Sequence, residues 1–237
     1  MARVKQGEFA AGSLGALAQE TLSDRVTEAL SEQIVSGRLA PGQRVDLGFL
    51  ASKWGVSVTP VRDAAKQLES LGFLKVLPRR GVFVAELSAK EVKDIFDLRA
   101  ALETMAVRLA TPRIPRAKAE KAIKSYIRAG EAPAGKDRDR MLPKVDLLVH
   151  TMALNFCNNP RLQKMMESIR GMVRWCQSTI ILHLNEPFLT TLPEHIAICE
   201  AICAGDAERA AAAMQSHIEN TSQRIQAFLR ETGHREI

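Results

Sequence analysis

The 237-residue sequence predicts a mainly α protein in two parts, three helices closed by a two-stranded ribbon and then an all-α helical bundle. Three observations lead there. Aromatic residues are only 5 % of the chain, and its 46 % hydrophobic content is mostly Leu, Val, Ile and Ala, a choice that suits helices better than sheets. Apolar residues recur at three- and four-residue spacing along most of the chain, whereas period-two alternation is confined to the stretch from Phe73 to Leu87. No apolar run approaches the ~20 residues of a membrane span, and the N-terminus has no compact apolar segment of signal-peptide type, so the reading is a cytoplasmic protein with no membrane partner.

Residues 1–20 are rich in Gly and Ala without a sustained period and read as a flexible N-terminal arm. From Leu22 to Ser36 the positions Leu22, Val26, Ala29, Leu30 and Ile34 mark one helical face. Gly37, Pro41 and Gly42 in "GRLAPGQR" then break regular structure. A short second helix fits Asp46 to Trp54, and Gly55 permits a tight turn after it. "GVSVTPVRDAAKQLESLGFL" opens with helix-entrance chemistry, Thr59 as the cap and Pro60 as the first helical residue, and closes at Gly72. The runs "FLKVL" and "VFVAEL", joined by "PRRG" at Pro78 to Gly81, alternate as a β-hairpin does. Over residues 21–85 this is the layout of a winged helix-turn-helix.

Residues 86–88 form the linker. Ser88 and Glu91 then have capping-box spacing ahead of "VKDIFDLRAALETMAVRLA", which Pro112 and Pro115 terminate. "AGEAPAGKDR", Asn158 to Pro160, Asn185 to Pro187 and Ala204 to Asp206 divide the remainder, giving six helices over residues 89–232 and a short tail, 233–237.

A helix-turn-helix sets the N-terminal end of its second helix in the major groove. On that geometry Ser57, Val58, Thr59 and Arg62 face DNA, with Arg62 able to clamp a guanine edge or a phosphate and the two hydroxyls able to reach phosphate oxygens. The net charge of +6 agrees with a polyanionic partner. The stretch "VSVTPVRDAAKQLESLGFLKVLPRRGVFV", with "IVSGRLAPGQRV" before it, resembles the DNA-binding domain of GntR-type transcriptional regulators. The resemblance implies a double-stranded DNA operator, and a wing tip of Arg79, Arg80 and Gly81 that meets the minor groove or the backbone. These regulators commonly carry Arg where Val58 stands, so their usual operator sequence does not carry over.

In "KVDLLVH", Asp146 and His150 are four residues apart and leave one face of a helix. His195 lies ten residues before Gly205 and His217 twelve after it, so a chain reversal at Ala204 to Asp206 brings both imidazoles to nearly the same height on antiparallel helices. One carboxylate and three imidazoles suit a divalent metal ion, zinc first, nickel or manganese as alternatives. This pattern, with "FDLRAALE" and "NNPRL", resembles the FCD effector domain of the FadR-type branch of the GntR family. The resemblance implies that residues 89–232 bind an effector and dimerise, and that Arg99 faces the cavity to hold an organic carboxylate beside the metal. An i,i+4 pair with Glu103 on an exposed face is the competing role for Arg99. Met172 and Trp175 either line that cavity or pack in the core, and His183 and His234 read as hydrogen-bonded core residues. Cys157, Cys176, Cys199 and Cys203 show no Cys-x-x-Cys spacing and read as reduced, buried thiols.

The function expected is a homodimeric repressor responsive to a small organic acid, not an enzyme. A metalloenzyme, hydrolase or oxygenase, using the same Asp/His set is the rival; it lacks an obvious general base, since Glu194 adjoins His195 but points roughly 100° away on a helix. An architectural DNA binder with a purely dimerising bundle is the third reading.

Overall fold

The computed structural model describes residues 21–181 and 188–232. The arm, the tail, His183, His234 and the break at Asn185 to Pro187 lie outside the described residues.

Helix α1 (Leu22–Val35) starts at a capping box: Thr21 Oγ1 accepts from the Asp24 amide at 3.1 Å, and the Asp24 carboxylate accepts from the Thr21 amide at 3.0 Å. It buries Val26, Leu30, Ile34 and Val35. Asp46 caps α2 (Leu47–Trp54) by accepting from the Phe49 amide at 2.9 Å, and Gly55, at φ 67°, turns the chain into α3 (Val58–Ser70). Helix α3 buries Val61, Ala64, Ala65 and Leu68 and packs on α1. Its N-cap is Ser57, not Thr59 as the sequence suggested, so Pro60 is the third helical residue. Proline is tolerated there because none of the first four helical amides has an intrahelical acceptor.

The wing is an antiparallel sheet of β1 (Arg44–Val45), β2 (Leu74–Leu77) and β3 (Gly81–Val84) in the order β1-β3-β2. Leu74 pairs with Val84, Leu77 with Gly81, and Arg44 with Phe83. Strand β1, which the hairpin pattern did not include, has only two residues, too few for alternation to mark it.

The second half comprises α4 (Ala89–Ala110), a 3₁₀ turn (Thr111–Arg113), α5 (Arg116–Glu131), α6 (Lys136–Asp146), α7 (Leu148–Phe156), α8 (Pro160–Ile181), another 3₁₀ turn (Leu189–Thr191), α9 (Leu192–Cys203) and α10 (Ala207–Glu231). Among the described residues this is seven helices where spacing suggested six, because the chain breaks at Leu147. In an unbroken helix the Val149 amide would bond the carbonyl four residues back; it donates instead to the Tyr126 hydroxyl at 3.0 Å in the core.

Helix α10 packs along α4 and beside α9, which also lies on α5. Gly205, at φ 70°, makes the α9–α10 reversal, and Asp206 caps α10. Helix α8 reaches back to the first half: Trp175 stacks on Phe73 with ring centroids 5.4 Å apart, and Arg174 pairs with Glu32 at 3.0 Å. Met172 lies over Gly72, its Cε 3.4 Å from where a Cβ would sit. Trp175 and Met172 therefore belong to the junction between the halves. All four cysteines are free, and no helix among the described residues is long and apolar enough to cross a membrane.

Candidate nucleic-acid interface and metal centre

The Ser57 side chain makes no capping bond, so its hydroxyl stands exposed at the tip of α3 beside exposed Thr59 and Arg62. Val58 is half-buried and packs on the core, a role that needs no hydrogen bond. At the wing tip Arg79, at φ 62°, and Arg80 are exposed. Among the described residues no carboxylate pairs with Arg62, Arg79 or Arg80. Gly81, at φ 112°, lies against Arg44, whose Nε would be 3.1 Å from a Cβ. Arg44 thus adds a cation to the wing that sequence reading missed; the strand pairing of β1 with β3 brings it there.

In the second half, α7, α9 and α10 each bring one histidine to a common point. His150, His195 and His217 are 5 %, 0 % and 2 % exposed. The Nε2 atoms of His150 and His195 are 3.3 Å apart, and those of His195 and His217 are 3.2 Å apart. Nitrogens held ~2.0–2.1 Å from one tetrahedral or octahedral ion stand ~2.9–3.4 Å from each other, so this spacing fits the edge of a coordination polyhedron. Asp146, at the end of α6, has Oδ1 3.9 Å from His195 Nε2 and accepts from Thr191 Oγ1 at 3.3 Å. The structure brings the three histidines to one point, with Asp146 beside His195 alone; Asp146 and His150 sit on either side of the Leu147 break and not on one continuous helix.

Two carboxylates back this group. Glu194 accepts from His217 Nδ1 at 2.7 Å, from Asn220 at 3.0 Å and from Arg224 at 3.2 Å. Burial alone would raise the Glu194 carboxyl, but these hydrogen bonds outweigh it and hold the group down at about 2. Glu103, 2 % exposed, meets His150 Nδ1 and accepts from Arg99 Nε at 2.7 Å. Its burial too would raise the carboxyl, and the Arg99 and His150 charges hold it well below the usual range. Burial pushes His217 down to about 4, against the opposite pull of Glu194, and pushes His195 well below its usual value. The His195 and His217 rings are therefore neutral at pH 7. Carboxylates on Nδ1 of His150 and His217 leave Nε2 lone pairs facing inward, the tautomer a metal ligand needs.

Arg99 is 3 % exposed and its Nη2 lies 3.3 Å from the His150 ring. Its pair with Glu103 forms, but buried rather than on an exposed face, and Nη1 has no hydrogen-bond partner. Sequence reading missed Tyr126, named Glu103 only as a surface partner of Arg99, and judged Glu194 only by its direction. Glu194 does point away from His195, and that is what aims it at His217 on α10.

Residues 22–84 match the bacterial regulatory proteins of the gntR family, and residues 94–220 match the FCD domain. The chain belongs to the gntR family of transcriptional regulators, with an FCD domain as its helical half. Over 203 residues it is 26 % identical to the HTH-type transcriptional regulator YdhC of Bacillus subtilis, covering 85 % of this chain and 90 % of that one. Over 198 residues it is 27 % identical to the HTH-type transcriptional repressor GlaR of Escherichia coli, covering 80 % and 89 %. The solved structure of E. coli McbR/YncC shares the fold, with a TM-score of 0.66 at 24 % identity over 90 % of this chain and 99 % of that one. Family and relatives are DNA-binding transcriptional regulators and not enzymes, which removes the metalloenzyme reading.

Proposed function

We propose that this regulator is a cytoplasmic homodimeric repressor whose affinity for a palindromic operator is set by a divalent metal ion and a small organic acid in the helical domain. The observation that carries the proposal is the convergence of three buried imidazoles, the Nε2 of His195 lying 3.3 Å from that of His150 and 3.2 Å from that of His217, with the two outer rings backed by carboxylates and a buried guanidinium with one free edge beside them. His150, His195, His217 and Asp146 would hold the ion, zinc before nickel or manganese. When bound, such an ion supplies a Lewis-acidic anchor for a carboxylate. Arg99 Nη1 supplies a hydrogen-bond donor whose lack of an acceptor is costly in a dry site. Ser57, Thr59 and Arg62 on α3, with Arg79, Arg80 and Gly81 on the wing, contact the duplex, the cations holding phosphates and Arg62 also reaching a base edge. Two copies would read two half-sites. The repressor names of GlaR and of the Paenarthrobacter nicotinovorans D-xylose operon relative favour repression over activation.

Calorimetric titration of zinc into chelator-treated protein tests the metal half. One ion per chain is expected, with binding abolished by His150→Ala and by His217→Ala while helicity is kept. Zinc affinity that both His150→Ala and His217→Ala retain would refute it.

A further inference from the structure

The wing sheet turns one face to the core and the other to solvent. Val45, Leu74 and Val84 are buried on the inner face. On the outer face Arg44 and Lys75 both stand opposite Phe83, and Leu77 stands opposite Gly81 one row nearer the tip. Arg44 does not stay in its own row. A long side chain can reach a diagonal neighbour two residues along the facing strand, and this guanidinium does so: Nε, Nη2 and Cζ lie 3.1, 3.5 and 3.7 Å from the point where a Cβ on Gly81 would sit. The group thus rests on bare backbone, in space that a side chain at residue 81 would take. Gly81 also holds φ at 112°, a conformation that L-residues avoid. Arg44 is exposed, and among the described residues no hydrogen bond or ion pair engages it.

We infer that Arg44 is a specificity-determining residue of the wing, its guanidinium entering the minor groove beside the α3 contact and favouring A·T pairs there. The inference rests on the duplex-binding reading above and assigns part of its sequence preference to a residue outside the wing turn. Position is the first reason: strand pairing carries Arg44 to Gly81, the residue that follows Arg79 and Arg80 of the tip. Preparation is the second, because a side chain already laid against backbone costs less to order on binding than a free one. Chemistry is the third. An A·T-rich minor groove is narrow and strongly negative, which draws arginine into it, and a guanidinium gives up its water more readily than an ammonium. A phosphate contact, by contrast, would carry no sequence information. Gly81 then serves as the seat of Arg44, and its missing side chain is explained within the protein without close approach of its backbone to DNA.

Selection of binding sites from a pool of randomised duplexes tests this, using the full chain, Arg44→Ala and Arg44→Lys, followed by fluorescence anisotropy on the selected duplexes at fixed salt. Sites chosen by the unaltered protein are expected to be enriched in A·T at one flank of each half-site. Exchanging those pairs for G·C should weaken its binding by about fivefold or more, the scale of one mismatched pair. Arg44→Ala changes an exposed strand position, so it should keep its thermal midpoint and the central bases of the site while the flank exchange costs it less than about twofold. Arg44→Lys keeps the charge without the planar guanidinium and should lose most of the preference as well. A flank preference that either variant retains in full, or its absence from the sites of the unaltered protein, would overturn the inference and leave reading by α3 standing. If the unaltered protein enriches no sequence from the pool, that reading fails too.

Discussion

His217 donates its Nδ1 proton to Glu194 at 2.7 Å, Glu103 meets Nδ1 of His150, and His195 leans on the Tyr126 ring with centroids 5.1 Å apart and no partner for its own Nδ1. Two of three imidazoles are thus fixed by hydrogen bonds and one by packing. Carboxylates of this kind orient a ligand and raise its basicity, and losing one costs ~10–100-fold in metal affinity. Glu194→Gln should therefore weaken zinc binding by that factor in a competition assay with a fluorescent chelator, at unchanged helicity; an affinity within twofold of the parent would contradict the role. The same residues set the acid response of the metal-free protein. The folded His217 ring takes its proton only near pH 4, whereas the unfolded ring takes it near ~6.5. Between those values the unfolded chain binds more protons, so stability is fully present above ~6.5 and falls as pH drops toward 4, and His195 acts in the same direction. Glu194 adds a further loss lower down, from the ordinary carboxylate range toward about 2. Urea midpoints of chelated protein should decline from pH 7.5 through 6 to 5; a midpoint that rises on acidification would contradict the assignment.

At the level of elements, the interruption between α6 and α7 frees the Val149 amide, which the Tyr126 hydroxyl accepts at 3.0 Å. Tyr126→Phe strands that buried amide and should cost about 1–3 kcal/mol, read as a lower urea midpoint; no change in midpoint would show that the amide finds another acceptor. Much at this scale was legible beforehand. The capping box at Ser88, the reversal at Gly205 and the α9–α10 spacing that pairs His195 with His217 follow from local residue chemistry and from helix pitch alone. What was hidden depends on partners distant in sequence. The Leu147 break needs a tyrosine from α5, the strand at Arg44 needs β3, and Trp175 leaves no sign in its neighbours that Phe73 is what it stacks on. Arg99 and Glu103 are the instructive pair: their i,i+4 spacing gave the contact, but only the packing of α4 on α7 and α10 buries it, changing a weak surface pair into part of the site.

Across the whole molecule, α8 touches both functions. Phe73, from the segment leading into the wing, stacks on its Trp175, Glu32 of α1 binds its Arg174, and the same helix packs on α4, which carries Arg99. A change in the helical domain that shifts α8 thereby has a direct path to the orientation of the reading head. Binding to the duplex should weaken steeply with salt, because log K falls by roughly 0.9 per phosphate neutralised for each unit of log salt, and Arg62→Ala should reduce the slope by about one such contact. Linkage requires that whatever the effector does to operator affinity, the operator does equally to effector affinity. The most direct test of this account is an operator titration at fixed salt with zinc-loaded and chelated protein, each with and without a panel of small organic acids. Loss of operator affinity upon adding one of the acids, in the zinc-loaded protein only and abolished by Arg99→Gln, is the predicted result; an equal response after chelation would contradict it.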